Sequence, residues 1–253
     1  MKSRVLASCL VLFGVAGHAC AQDTIATDRP DFVESSLTVG NHRLQVETSV
    51  AWERDGSVAT YSTPTLFRYG LGQTWELRLE TDGWQRIDAP GQAKVGGMAD
   101  VSLGLKHHLA SSDDGKTSLA WLLHLDLPSG AHAVRGHGAR PSFRLVAEWD
   151  LSDSVSAGMM PGVIRDDDGQ GHRYTAGIFG AVLGKAWNDR VRSFVEVALP
   201  QIAKRDDGGT VALLDVGSAW LLSNDVQLDA AYSRGLNDRS LDHALGVGLS
   251  FRF

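Results

Sequence analysis

The residues able to do chemistry are few and scattered. His107 stands four and five positions before Ser111 and Ser112, the residue types of a serine hydrolase. No His-x-Ser followed by an Asn-Gly pair occurs, and the serines fall beside a turn. His132, His137 and His172 share long loops with Asp166, Asp167 and Asp168, the groups an Asp/His protease would bring together at a rim. Residue types without convergent geometry are a poor case for a site, so no catalytic residue is assigned.

Metal and cofactor signals are equally thin. Asp166-Asp167-Asp168-Gly169 lacks the alternate spacing and twelfth-position Glu of a calcium loop. It reads as a solvated acidic tip, able at most to share loose divalent ions with lipopolysaccharide phosphates. His107-His108 and His132/His137 lack zinc spacing. No helix follows Gly169-Gln170-Gly171, so it is not a phosphate loop. No metal and no cofactor are expected.

The elements that would position such residues are clearer. The chain has 253 residues, 43% hydrophobic and 21% charged, with a net charge of −6. Its mean hydropathy of −0.11 excludes a bundle of apolar membrane helices. Plentiful apolar residues argue against disorder, two cysteines exclude a disulfide scaffold, and the acidic balance excludes a general nucleic-acid binder.

Residues 1–21 read as a secretory signal peptide: Lys2 and Arg4, an apolar run from Val5 to Val15, then Ala19-Cys20-Ala21 before Gln22. A lipoprotein box at Cys20 is disfavoured by His18 and by the missing Leu two places earlier. Cleavage after Ala21 would remove both cysteines, Lys2 and Arg4 but no acid, taking the net charge from −6 to −8.

Beyond residue 42 the pattern has a period of two, as in strands with one apolar face. Leu245, Val247, Leu249, Phe251 and Phe253 alternate with small or polar residues, and Leu119, Trp121, Leu123, Leu125 and Leu127 do the same. Twelve strands are predicted: 43–53, 60–69, 74–83, 99–109, 117–127, 141–150, 155–164, 174–187, 191–200, 210–222, 226–236 and 243–253. Runs of about ten residues suit a tilted membrane-spanning strand.

Alternate connections are short (70–73, 110–116, 151–154, 188–190, 223–225) and long (54–59, 84–98, 128–140, 165–173, 201–209, 237–242). Short periplasmic turns and longer outer loops mark an outer-membrane barrel. Tyr69, Trp75, Trp149, Trp187, Trp220 and Phe253 gather at the short-turn ends, with Trp52 at the other end, as interfacial girdles do. The expected fold is therefore all-β: a transmembrane antiparallel up-and-down β-barrel of about twelve strands. Residues 22–42 form an N-terminal periplasmic or lumenal segment and residues 43–253 the barrel.

Parity turns a set of charges inward, where they would line the lumen and any substrate path: Glu47, Glu76, Arg78, Glu80, Asp100, Lys106, Arg144, Glu148, Arg192, Glu196, Asp229 and Arg252, with Asp82, Asp126 and Asp215.

Thr27-Asp28-Arg29-Pro30-Asp31-Phe32-Val33-Glu34-Ser35 resembles the opening motif of a family of bacterial outer-membrane proteins named for the meta-pathway of phenol degradation. Gly40-Asn41-His42-Arg43-Leu44-Gln45-Val46-Glu47 resembles the family's next block, and Phe251-Arg252-Phe253 the C-terminal aromatic signature read by the barrel-assembly machinery. The specific motif covers about residues 27–47. The resemblance implies a transporter that passes hydrophobic or aromatic small molecules, and carries over no binding residues.

From the residues themselves, Pro30 extends Arg29, and Asp28, Arg29 and Asp31 are too polar for lipid. The segment is expected to enter the short-turn mouth, with Arg29 paired to Glu47 or Glu76; a flexible lead-in is the other reading. The expected function is a passive channel or transporter without chemistry. An outer-membrane lipase or protease and an adhesive barrel acting through its loops are the alternatives. Expected partners are outer-membrane lipid and lipopolysaccharide, the assembly machinery at Phe253 and a small-molecule substrate, but no nucleic acid. The expected location is the outer membrane.

Overall fold

The computed structural model describes residues 24–168 and 172–253. The signal peptide and Gly169-Gln170-Gly171 lie outside the described residues. Alternating apolar and polar side chains produce fifteen strands: β1 (Leu44–Asp55), β2 (Val58–Ser62), β3 (Thr65–Gly70), β4 (Trp75–Thr81), β5 (Trp84–Asp88), β6 (Val95–Met98), β7 (Val101–Ser111), β8 (Thr117–Leu127), β9 (Arg140–Ser152), β10 (Val155–Asp167), β11 (Arg173–Asn188), β12 (Val191–Ile202), β13 (Val211–Ser223), β14 (Val226–Gly235) and β15 (His243–Arg252). Neighbours pair antiparallel in chain order from β7 to β15, and β15 closes on β1 from Gln45↔Arg252 to Arg54↔His243. Closure removes the free edges that hydrocarbon cannot tolerate.

The barrel has twelve staves, because three are interrupted at one level. β2 and β3 form one stave broken at Thr63-Pro64, β4 and β5 one broken at Asp82-Gly83, and β6 and β7 one broken at Ala99-Asp100. Pro64 has no amide to give the ladder. Gly83 adopts φ 65°, and a Cβ there would strike the Thr63 carbonyl. The stretch 84–98, expected as a loop, is instead the β5–β6 hairpin, with Trp84↔Met98 to Ile87↔Val95 in register. The first long connection is likewise a tight turn, since β1 pairs directly with β2 up to Asp55↔Val58. Both pairs are short, and on one face of β5–β6 the apolar pair Trp84 and Met98 is followed by Arg86 and Gly96, so alternation leaves little apolar signal.

The barrel is inside out relative to a soluble domain. Glu47, Arg68, Glu76 and Lys106 are 0% exposed, while Leu77 and Leu103 are each 47% exposed on the outer wall. Tyr69, Trp75, Trp187, Trp220 and Phe253 are exposed near the short-turn rim. Among them Trp75 stacks on His107 at 3.9 Å, and His107 meets Trp121 edge-on. Such rings at the membrane interface fix the barrel's depth.

Candidate functional site

Residues 24–42 form a re-entrant loop inside the lumen. The Ile25 amide binds the Asn224 carbonyl at the short-turn rim (2.7 Å), and the Thr24 carbonyl accepts from Arg252. The chain climbs to a tip around Arg29–Phe32, descends, and returns to the rim where His42 N binds Gly70 O (3.0 Å). The Arg29–Pro30 peptide is cis.

With no ladder of its own, the loop gives its amides to inward carboxylates. Glu47 accepts from Asp28 N and Arg29 N (3.0 Å each to Oε2), and Glu196 from Phe32 N and Val33 N (2.7 Å each). Glu148 takes Ser36 N (2.6 Å) and Glu76 takes Val39 N (3.0 Å). Cations take its carbonyls: Arg68 binds Ala26 O (2.8 Å) and Leu37 O (3.0 Å), and Lys106 binds Ser35 O (2.7 Å). Buried backbone groups demand such partners.

Asp28 is the hub. Its carboxylate meets Lys106 Nζ (2.8 Å), Arg78 and Arg68 (3.4 Å), all buried. Glu34 pairs with Arg78 (2.7 Å) and Arg144 (2.6 Å). Burial would raise both carboxyls. The cations win: Arg68, Lys106 and Arg78 hold Asp28 far below the carboxylate range, and Arg78, His124 and Arg144 hold Glu34 at about 2. Arg68 also binds Glu47 (2.9 Å) and Glu76 (2.8 Å). Arg68, Arg78, Lys106 and Arg144 are thus balanced by Glu47, Glu76, Asp28 and Glu34, two of which belong to the loop. Without the loop, these four cations would keep only two of their four carboxylate partners, and Lys106 and Arg144 would lose the ones they pair with.

An apolar latch completes the docking. Phe32 and Val33 pack against Leu122, Val146, Met160 and Val182, an apolar patch on the inner wall. Gly180 leaves room for them; a Cβ there would lie 2.6 Å from Val33 Cγ2 and 3.0 Å from Phe32 Cδ1.

The other inward residues separate by position. Arg29 pairs with Glu80 (3.1 Å), not with the side chains of Glu47 or Glu76, because Arg68 and Arg78 already occupy those carboxylates. Arg192 and Gln227 both donate to Thr27 Oγ1 (3.1 and 2.9 Å). Arg252 bonds Asp225 (2.7 Å). Asp100 holds Gly130 N (2.9 Å) and Gly136 N (2.8 Å) of the 128–139 loop, away from the segment. Asp229 is buried, and its Oδ2 has no hydrogen-bond partner among the described residues. Asp31 faces Arg192 and Glu148, and burial outweighs Arg192 to push its carboxyl up to about 6.

Two central residues escape a reading of the sequence alone. Arg68 lies between Phe67 and Tyr69, so parity points it inward, but its strand is broken. His108 takes the serine: its Nε2 lies 3.1 Å from Ser111 Oγ, and its Nδ1 3.0 Å from Ser36 O. His107, by contrast, faces outward in the girdle. The third partner of the His108–Ser111 pair is a backbone carbonyl rather than a carboxylate, which fixes the ring without stabilising an imidazolium as a triad acid does. His172 lies 3.8 Å from Asp168 and 3.6 Å from Asp207 on the outer loops.

Cavities flank the loop at the short-turn end. One of about 210 Å³ lies between it and β9–β12, and two of about 400 and 380 Å³ open at the rim; all three touch Arg192.

A closed antiparallel barrel with a charged lumen and a loop folded back into it defines a transmembrane β-barrel of the outer-membrane type. The chain belongs to the family described as "Putative MetA-pathway of phenol degradation", whose model matches residues 27–253. No curated protein matches it. In fold it is similar to the outer-membrane channel of Pseudomonas putida F1 (TM-score 0.65, 13% identity, 88% of this chain and 99% of that one). The NanC porin (0.57, 11%, 81% and 98%) and the KdgM porin (0.55, 9%, 83% and 99%) share the architecture.

Proposed function

We propose that the protein is a passive channel or transporter of the outer membrane, without chemistry of its own, for small molecules that include hydrophobic or aromatic ones. The observation that carries this reading is the group of cavities beside the docked loop, which open at the short-turn rim and reach inward to Arg192, Glu148 and Asp31 in a barrel otherwise too small for a wide pore. Family membership and the likeness to channels and porins support it. The charges that hold the loop are structural, and the route runs past Arg192, Glu148 and Asp31 rather than through the Arg68–Asp28 cluster.

In the same reading, residues 1–21 are a cleaved export signal and residues 22–42 the lumenal segment. Lipid and lipopolysaccharide contact the outer wall, and the exposed Phe253 serves the assembly machinery. Swelling of proteoliposomes in small sugars and aromatic alcohols tests the function. Swelling faster than in empty liposomes supports a channel; none with any solute sinks it. Lipid or peptide turnover lost on Ser111→Ala or His108→Gln would replace it with an enzyme.

A further inference from the structure

Three basic side chains stand in one row on the outer wall. The register sets Arg54 opposite His243 and His243 opposite Arg234, across β1, β15 and β14. All three share the parity of exposed Leu245, so they point away from the lumen. Arg234 donates from Nη1 to His243 Nε2 (3.0 Å), so the neutral ring turns its Nδ1 proton to the Tyr232 hydroxyl (2.6 Å). Arg54 donates from Nε to Gly56 O (2.8 Å). Neither guanidinium has an ion pair among the described residues. The acids beside them in the chain, Asp55 and Asp242, have the opposite parity, and Asp242 Oδ2 accepts from the Gly56 amide (2.9 Å).

An apolar groove of about 760 Å³ lies directly below this row. Its upper edge is the next outward row, Trp52, Leu245 and Tyr232. In the row after that, the small side chains of Ala230, Ser218 and Ser193 lie beside Val247 and leave the depression. Tyr61 closes one end and carries Arg86 above its ring (5.8 Å), but Asp88 already neutralises that guanidinium. The groove lies toward the long-loop end of the wall, which faces the outer leaflet. Aromatic rings such as Trp52 and Tyr232 mark the interface. The basic row stands two residues, about 7 Å, farther out along the strands, at the level of lipid phosphates.

We propose that this face of β14, β15 and β1 is a binding site for one lipopolysaccharide molecule of the outer leaflet, with a lipid A phosphate held by Arg54 and Arg234 and an acyl chain lying in the groove below. Two guanidiniums without a carboxylate call for two negative charges on one group. A phosphate monoester such as that of lipid A carries about −1.5 to −2, whereas the diester of a phospholipid carries a single charge. The Tyr232 oxygen accepts from His243, so its own proton is free to donate to the same phosphate. His243 thus orders both donors that flank it without adding charge. The proposal rests on the outer-membrane location in the reading above and not on the channel.

The test is titration of the full-length protein, purified in detergent, with lipid A, with enzymatically dephosphorylated lipid A and with phosphatidylglycerol, bound lipid being counted by native mass spectrometry. Lipid A is expected to bind about tenfold or more tightly than either of the others. The double variant Arg54→Gln/Arg234→Gln is expected to lose that advantage while dephosphorylated lipid A binds as before. Ala230→Trp fills the groove and leaves the cations in place; it is expected to weaken both forms of lipid A and serves if the double variant does not fold. Phosphatidylglycerol bound as tightly as lipid A, or lipid A binding indifferent to both variants, overturns the proposal. So does a dimer of this chain that lipid A leaves intact and Ala230→Trp abolishes. The titration contains no transport step, so its failure leaves the channel reading standing, and absence of liposome swelling leaves this site standing.

Discussion

Asp28 and Lys106 meet at 2.8 Å although 78 positions separate them in the chain. The contact joins the N-terminal loop to the inner face of β7, and both side chains are almost fully buried. A buried ion pair contributes modestly when whole, but breaking one side leaves an uncompensated charge in a poorly hydrated place. Asp28→Asn is therefore expected to destabilise the protein by about 3–5 kcal/mol, read as a lower urea midpoint or a lower temperature of gel-mobility change in detergent. The double variant Asp28→Asn/Lys106→Met recovers part of the loss, because the partners are coupled.

Gly180 is the floor under Phe32 and Val33. A side chain there would lie 2.6 Å from Val33 Cγ2, and the latch has a backbone anchor in Glu196 that prevents a simple slide. Gly180→Val is expected to lift the tip of the loop while β11 stays paired, raising ion conductance and exposing residues 31–35 to protease. Unchanged conductance and protease resistance would mean the latch is not needed.

Glu196 bonds the amides of Phe32 and Val33 at 2.7 Å each. The two amides use both oxygens of the carboxyl group, one each, so the group pins the tip of the loop at two points. Glu196→Gln keeps the shape but can accept with only one oxygen, so hydrogen exchange at these two amides is expected to quicken about tenfold or more, with barrel amides unaffected.

Docking of the loop should depend on pH in two opposite ways. Glu34 is lowered from 4.5 to about 2, so its contribution is present above 4.5 and is lost as pH falls toward 2. Asp31 is raised from 3.8 to about 6 by burial, against the pull of Arg192 and with Glu148 and Asp28 nearby; its docked form holds the proton more tightly. That term weakens docking as pH rises from about 3.8 through 6. Docking, followed by exchange of the loop amides, is expected to be strongest near pH 4–5, and Asp31→Asn is expected to erase the decline above it.

Much of the fold was legible because a lipid-facing wall leaves a period-two trace. The twelve predicted spans all fall on staves, and the inward parity of Glu47, Glu76, Lys106 and Glu196 follows from Val46, Leu77, Leu105 and Val197 beside them. The β5–β6 hairpin was not legible, since its strands are only five and four residues long and each face mixes apolar Trp84, Met98, Ile87 and Val95 with Arg86, Gln85 and glycine. The docked loop was harder still. Residues 27–39 have no periodicity, and their partners lie up to 200 positions away, as Thr27 and Gln227 do. The motif showed that the segment was too polar for lipid, but a single sequence does not say which carboxylate will be free. The motif predicts an inward carboxylate such as Glu47 or Glu76 for Arg29, but Arg68 and Arg78 hold those two, and Arg29 pairs with Glu80.

The channel account is tested most directly by single-channel conductance of the full-length protein beside a variant lacking residues 24–40. The account predicts a small, steady conductance for the whole protein, carried by the route past Arg192, and a conductance several-fold larger without the loop. Identical conductance in the two, or none in either, would contradict it.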